Sequence, residues 1–151
     1  FDSKFHRAFY KAQLGAGTQL PISGKVFLSI KDEDKGPSLL EAASCLLEMG
    51  FTLIGTRGTA SFLVKAGIDI AIVNKVYEGR PNIVDQIKNG DIALIFNTTS
   101  GAQAVDDSRS MRASALMDGV PYYTTLAASH AAALAIKAHA EGDVGVKALQ
   151  E

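Results

Sequence analysis

The chain has 151 residues, of which 47% are hydrophobic, with 15 basic and 16 acidic side chains and a net charge of −1. That length fits one domain and that apolar content argues against global disorder, while the balanced charge gives no reason to expect nucleic acid or an anionic membrane as partner. A single cysteine, Cys45, excludes an internal disulfide and fits a reducing, cytoplasmic setting. No apolar run is long enough to span a bilayer, and no signal-peptide pattern is present. The chain opens on Phe1 rather than Met, which reads as a piece of a larger polypeptide or a processed start.

In chain order, residues 3–14 predict a short amphipathic helix, with Phe5, Ala8, Phe9 and Ala12 on one face and Gly15 at its end. Residues 15–24, rich in glycine with Pro21 and Ser23, predict a linker. Residues 25–30 form an apolar strand, and residues 38–49 have helical periodicity closed by Gly50. Strand 51–54 leads to a helix over 59–66, strand 70–73 to a helix over 82–88, and strand 91–96 to a helix over 106–117. A short strand at 121–124 precedes an alanine-rich helix at 126–140, and the small, polar tail after Gly142 is expected to fray. This alternation builds an α/β fold, a parallel sheet with helices on both faces. Continuous apolar strands fit a sheet buried on both sides.

In such folds ligands bind at the carboxyl ends of the strands. Two segments there are rich in hydroxyls and glycine: Gly55-Thr56-Arg57-Gly58-Thr59 and Asn97-Thr98-Thr99-Ser100-Gly101. Lys35, Arg57, Lys75 and Arg80 fall on the same rim. With Thr59 expected to open a helix, free N–H groups and the helix dipole favour an anion. Each residue alone has a plainer reading: Thr59 as a helix cap, Gly55 and Gly58 as turn residues, Lys75 and Arg80 as solvated charges. Together they predict a phosphate site at Lys35, Thr56, Gly58 and Thr59. Catalytic candidates are few. His6, His130 and His139 lie on predicted helices away from this edge, leaving the carboxylates Asp32, Asp34, Glu78, Asp106 and Asp107. No metal-ligand spacing and no Walker or GxGxxG loop occurs. The residues alone thus describe a phosphate-ligand binding domain without catalytic machinery.

Several motifs in order resemble the carboxy-terminal allosteric domains of carbamoyl-phosphate synthase large chains. They are Ser29 with Asp34-Lys35, Gly55-Thr56-Arg57-Gly58-Thr59-Ala60, Val73-Asn74-Lys75-Val76, Glu78-Gly79-Arg80-Pro81, Ile87-Lys88-Asn89-Gly90, Asn97-Thr98-Thr99-Ser100-Gly101 and Asp107-Ser108-Arg109. Phe9-Tyr10-Lys11-Ala12-Gln13-Leu14-Gly15 resembles the end of the preceding synthetase domain, so residues 1–20 would be that end with its linker and residues 21–151 the allosteric domain. The resemblance implies a methylglyoxal synthase-like three-layer sandwich, with a five-stranded parallel sheet of order 3-2-1-4-5. It implies regulation by UMP and IMP, with the phosphate on Lys35, Thr56 and Thr59. Ser29, Lys75, Asn97, Thr98, Thr99 and Ser108 would line the nucleoside part. Ornithine is implied near Thr124, although Tyr123 stands where enteric members carry aspartate.

By the same resemblance the chemistry lies in the synthetase domains of the same chain. They use ATP, magnesium or manganese, and potassium, and are partnered by a glutaminase small chain. They make carbamoyl phosphate for pyrimidine and arginine biosynthesis. No cofactor, metal or catalytic residue is expected in this stretch. The alternative is a methylglyoxal synthase-like or IMP cyclohydrolase-like enzyme acting on a small phosphorylated substrate. Against it, the region of the first enzyme's glycine-rich Gly-Asp segment here reads Glu78-Gly79-Arg80-Pro81.

Overall fold

A computed structural model of the chain describes residues 20–99 and 102–150. The helix expected over residues 3–14, the segment assigned to a preceding domain up to residue 19, and Ser100 with Gly101 lie outside the described residues. Residues 20–24 carry no regular structure, as expected for a linker.

The strands are β1 (Lys25–Ser29), β2 (Thr52–Gly55), β3 (Ala71–Ile72), β4 (Ile92–Asn97) and β5 (Tyr122–Tyr123). The helices are α1 (Pro37–Glu48), α2 (Arg57–Lys65), α3 (Ile83–Lys88), α4 (Ala102–Met117) and α5 (Leu126–Gln150). Single 3₁₀ turns, Asp32–Asp34 and Val76–Glu78, follow β1 and β3. Every strand pair is parallel, and the sheet order is β3-β2-β1-β4-β5. This is the five-stranded 3-2-1-4-5 arrangement that the resemblance implied.

Successive side chains on a strand point to opposite faces, and β1 shows the result. Val26 and Leu28 pack with Leu39, Leu46, Leu63 and Ile136 of α1, α2 and α5. Phe27 between them packs with Ile83, Ile87 and Met111 of α3 and α4. Each is fully buried, and a buried side chain of this size contributes about 1.5–3 kcal/mol relative to an exposed one. The sheet is thus held between two apolar layers, and β1 is central because its apolar run is covered on both sides. At its end the register sets Leu28 opposite Gly55 and Phe96, and Ser29 opposite Asn97.

Three helix boundaries differ from the sequence reading by two residues or more. α2 begins at Arg57, so Thr59 does not open it; Thr56 is the cap, and its carbonyl accepts from the Ala60 N–H at 2.8 Å. Gly58 costs a helix interior about 1 kcal/mol, and one such cost in the first turn does not delay the start. α4 begins at Ala102 rather than at residue 106, because Ala102 and Gln103 propagate helix well. α5 runs to Gln150 through Gly142 and Gly145, so the expected fraying tail is helical; each glycine costs a helix about 1 kcal/mol and does not end this one.

Gly55 is not a turn residue but the last residue of β2. A Cβ there would sit 2.8 Å from the Leu28 carbonyl oxygen and 3.0 Å from Ile70 Cδ1. The close approach of β1 and β2, not turn geometry, requires glycine.

Candidate functional site

A cavity of about 470 Å³ opens at the carboxyl ends of β1, β2 and β4, a size typical of small-molecule sites. β1 lies between β2 and β4, so the chain reverses its direction of travel across the sheet here, where open α/β folds leave a crevice.

The wall from β2 is the first turn of α2. Thr56 and Thr59 are buried, and their hydroxyls are engaged internally. Thr56 Oγ1 donates to Thr59 Oγ1 at 3.0 Å, and Thr59 Oγ1 accepts from the Ile30 N–H at 2.9 Å. These bonds fasten the end of β1 to the start of α2. The Thr56 side chain makes no capping bond. Among the described residues none accepts from the first-turn N–H groups of Arg57, Gly58 and Thr59. A helix start leaves such donors open by construction. Lys35 reaches the same place: a Cβ on Gly58 would lie 3.3 Å from its Nζ.

The wall from β1 is the 3₁₀ turn that carries Asp32 and Glu33 with Lys31 and Lys35 around it. Lys35 Nζ donates to Asp32 Oδ1 at 2.6 Å; the lysine is 15% exposed and the aspartate 90%. The Lys35 hydrogen bond and charge hold the Asp32 carboxyl below the usual carboxylate range.

The wall from β4 is Asn97, Thr98 and Thr99, with Ser108 of α4 behind. Asn97 is the last residue of the strand rather than part of the loop. Its Nδ2 donates to Ser108 Oγ at 2.8 Å and to the Tyr122 hydroxyl at 2.6 Å. Thr98 Oγ1 accepts from the Lys31 N–H at 2.9 Å, and the Thr98 N–H donates to the Ser29 carbonyl at 2.9 Å. Phe27, Ile83 and Met111 give the cavity an apolar side.

All ten residues expected at a phosphate or nucleoside contact therefore line one cavity: Lys35, Thr56, Gly58 and Thr59, then Ser29, Lys75, Asn97, Thr98, Thr99 and Ser108. Of the four rim cations, Lys35 and Lys75 line it and the two arginines do not. Arg57 is drawn to Glu78 at 3.6 Å and Asn74 at 3.2 Å, which ties α2 to the turn after β3. Arg80 pairs with Asp85 at 2.6 Å on the first turn of α3. Thr124 is exposed after β5 and lines neither this cavity nor the more open groove of about 1100 Å³ beside β5.

The sequence reading singles out neither Tyr122, Glu33 nor the apolar side, and Asp32 only among the catalytic candidates. The alternation Val26-Phe27-Leu28 gives a signal for Phe27, and the acidic run beside Lys35 gives one for Asp32. Tyr122 has none, because its partner lies 25 residues away on another strand. Cys45 is buried in the core, and that burial pushes the thiol up to about 11. His130 meets Glu41 between α5 and α1, away from the cavity. Among the described residues no group of His, Cys, Asp or Glu is arranged to hold a metal, and no helix is long and apolar enough to cross a membrane.

A cavity between parallel strands, with an open helix start at one end and a pinned amide at the other, is the class of site that this fold supports. The family model of the MGS-like domain matches residues 38–124, and the chain belongs to that family. Its similarity to particular proteins extends further. It is 49% identical over 149 residues to the carbamoyl phosphate synthase large chain of Rhizobium meliloti (strain 1021), covering 99% of this chain and 13% of that protein. It is 50% identical over 144 residues to the protein of the same name from Myxococcus xanthus (strain DK1622), covering 95% and 13%. Against that of Halomonas eurihalina it is 53% identical over 136 residues, covering 88% and 12%. The chain spans about an eighth of the length of these curated relatives.

Proposed function

We propose that this domain is the regulatory part of a glutamine-hydrolysing carbamoyl-phosphate synthase large chain, and that its cavity binds the nucleotide effectors UMP and IMP. The observation that carries the reading is the meeting of Lys35 Nζ with the open first-turn amides of α2 at one end of the cavity. A phosphate there gains backbone donors, the helix dipole and a lysine charge together. Because the threonine hydroxyls bond to each other, the amides and Lys35 make the seat, and Thr56 and Thr59 hold its shape.

The dimensions suit a nucleotide. Strands two positions apart lie roughly 9.5 Å from each other. The anion seat after β2 and the Asn97–Thr99 wall after β4 are thus separated by about the span from a nucleoside's phosphate to its base. Bound effector acts by shifting the parent enzyme between states, with coupling of about 1–3 kcal/mol. The synthetic steps, with their ATP and ammonia supply, belong to the rest of that polypeptide and its small chain.

Calorimetry with UMP and IMP tests the reading: saturable one-site binding is expected, and no binding at millimolar nucleotide overturns it. Asp32 and Glu33 on the cavity wall give a second reading some footing, an enzyme acting on a small phosphorylated substrate. Incubation with dihydroxyacetone phosphate separates the two, since methylglyoxal formation would favour the enzyme.

A further inference from the structure

Asn97 is 2% exposed and lines the cavity. A side-chain amide offers two N–H donors and one carbonyl acceptor. Both donors are committed, to Ser108 Oγ and to the Tyr122 hydroxyl. Among the described residues nothing donates to the carbonyl Oδ1. Buried polar atoms are normally satisfied, so an unpartnered acceptor in a cavity wall points to a donor on a ligand.

Tyr122 makes this arrangement rigid without lining the cavity. Its ring lies on the groove side of β5, with the Arg112 guanidinium 5.4 Å above the ring centre. Only its hydroxyl reaches through to Asn97. If either hydroxyl partner is lost, the amide can rotate and present N–H instead of C=O.

We propose that Tyr122, with Ser108, is a positioning residue that fixes the Asn97 amide so that its carbonyl accepts from a neutral donor of the ligand, a sugar hydroxyl or a ring N–H. The proposal rests on the nucleotide reading above and adds a specificity to it. A ligand that offers an acceptor at that point, such as cytosine N3 in place of uracil N3–H, meets the carbonyl unfavourably. A ligand that lacks the hydroxyl leaves the carbonyl unpaired.

The experiment compares the chain with its Tyr122→Phe and Ser108→Ala variants. Calorimetry is run with UMP, CMP, 2′-deoxy-UMP, 3′-deoxy-UMP and inorganic phosphate. The unaltered chain should prefer UMP over CMP, or UMP over one deoxy analogue, by about fivefold or more, the size of one neutral hydrogen bond. The analogue that is rejected identifies the donor. Tyr122→Phe should reduce that preference to about twofold or less, with inorganic phosphate affinity moved by less than about twofold. Ser108→Ala should act in the same direction. A preference unchanged in both folded variants overturns the proposal while the nucleotide reading stands, as does a chain that shows no preference at all. Failure of the unaltered chain to bind any nucleotide overturns the reading and the proposal with it.

Discussion

The two hydroxyl-rich segments Gly55–Thr59 and Asn97–Thr99 look alike in sequence and do different work in the structure. The first enters a helix at once. Its hydroxyls are spent on one another and on Ile30, and what it offers the cavity is backbone N–H. The second begins inside a strand. Its amide is pinned by Ser108 and Tyr122, the Thr98 hydroxyl holds Lys31, and what it offers is an oxygen acceptor. One end of the cavity therefore presents backbone N–H groups and a lysine charge, and the other an amide oxygen. Composition alone does not separate these roles; the point at which the next helix starts does.

The largest effect is expected at the charged end. Lys35→Ala removes a charge-assisted hydrogen bond worth about 1.5–3 kcal/mol, so UMP affinity should fall roughly tenfold to a hundredfold. Uridine affinity should not change, and equal losses for both would erase the distinction between the two ends. Gly55→Ala forces a methyl onto the Leu28 carbonyl. Overpacking of this kind costs about 1–3 kcal/mol, which urea unfolding would register as a lower midpoint. Thr98→Val keeps the shape and leaves the Lys31 N–H without its acceptor, so a loss of about 1 kcal/mol is expected in the same measurement.

Arg57→Ala is the contrast to Lys35→Ala. An exposed ion pair of this kind contributes about 0–1 kcal/mol, and because the side chain lies off the cavity, UMP affinity should stay within about threefold. A larger loss would put a second cation at the phosphate. The smallest effect is in acid. Lys35 holds the Asp32 carboxyl low, and Arg80, followed by the Asn82 N–H, does the same for Asp85. A depressed folded pKa means stability that is present above the unfolded carboxylate value of about 3.9 and lost as pH falls through the folded one. Carboxyl NMR titration should place both midpoints below that value. Lys35→Ala should raise the Asp32 midpoint and leave that of Asp85 where it is.

Much of the fold was legible because β1, β2 and β4 are continuous apolar runs between turn residues, a pattern that parallel, doubly covered strands require. The boundaries that moved are those where local rules compete. Gly58 reads as a turn residue, yet it sits in the first turn of a helix, where its missing side chain lets Lys35 come close. Gly142 reads as a stop, yet α5 continues past it. For the site, residue types at strand ends marked which side chains would gather. They could not show that Thr59 is inward and saturated while Arg57 turns outward to Glu78. Nor could they show Tyr122 reaching Asn97, since that contact depends on β4 and β5 being neighbours in register.

The strand order has one more consequence. Because β1 stands between β2 and β4, a molecule seated over its end touches segments that follow four different strands: Lys35, Thr59, Lys75 and Thr98. Such a molecule is a non-covalent cross-link across stretches far apart in the chain. Its affinity is then also a folding energy, about 2.7 kcal/mol when free ligand is at a hundred times its dissociation constant. A thermal melt of this domain in the presence of UMP would therefore report occupancy of the proposed site directly, without any assay of activity.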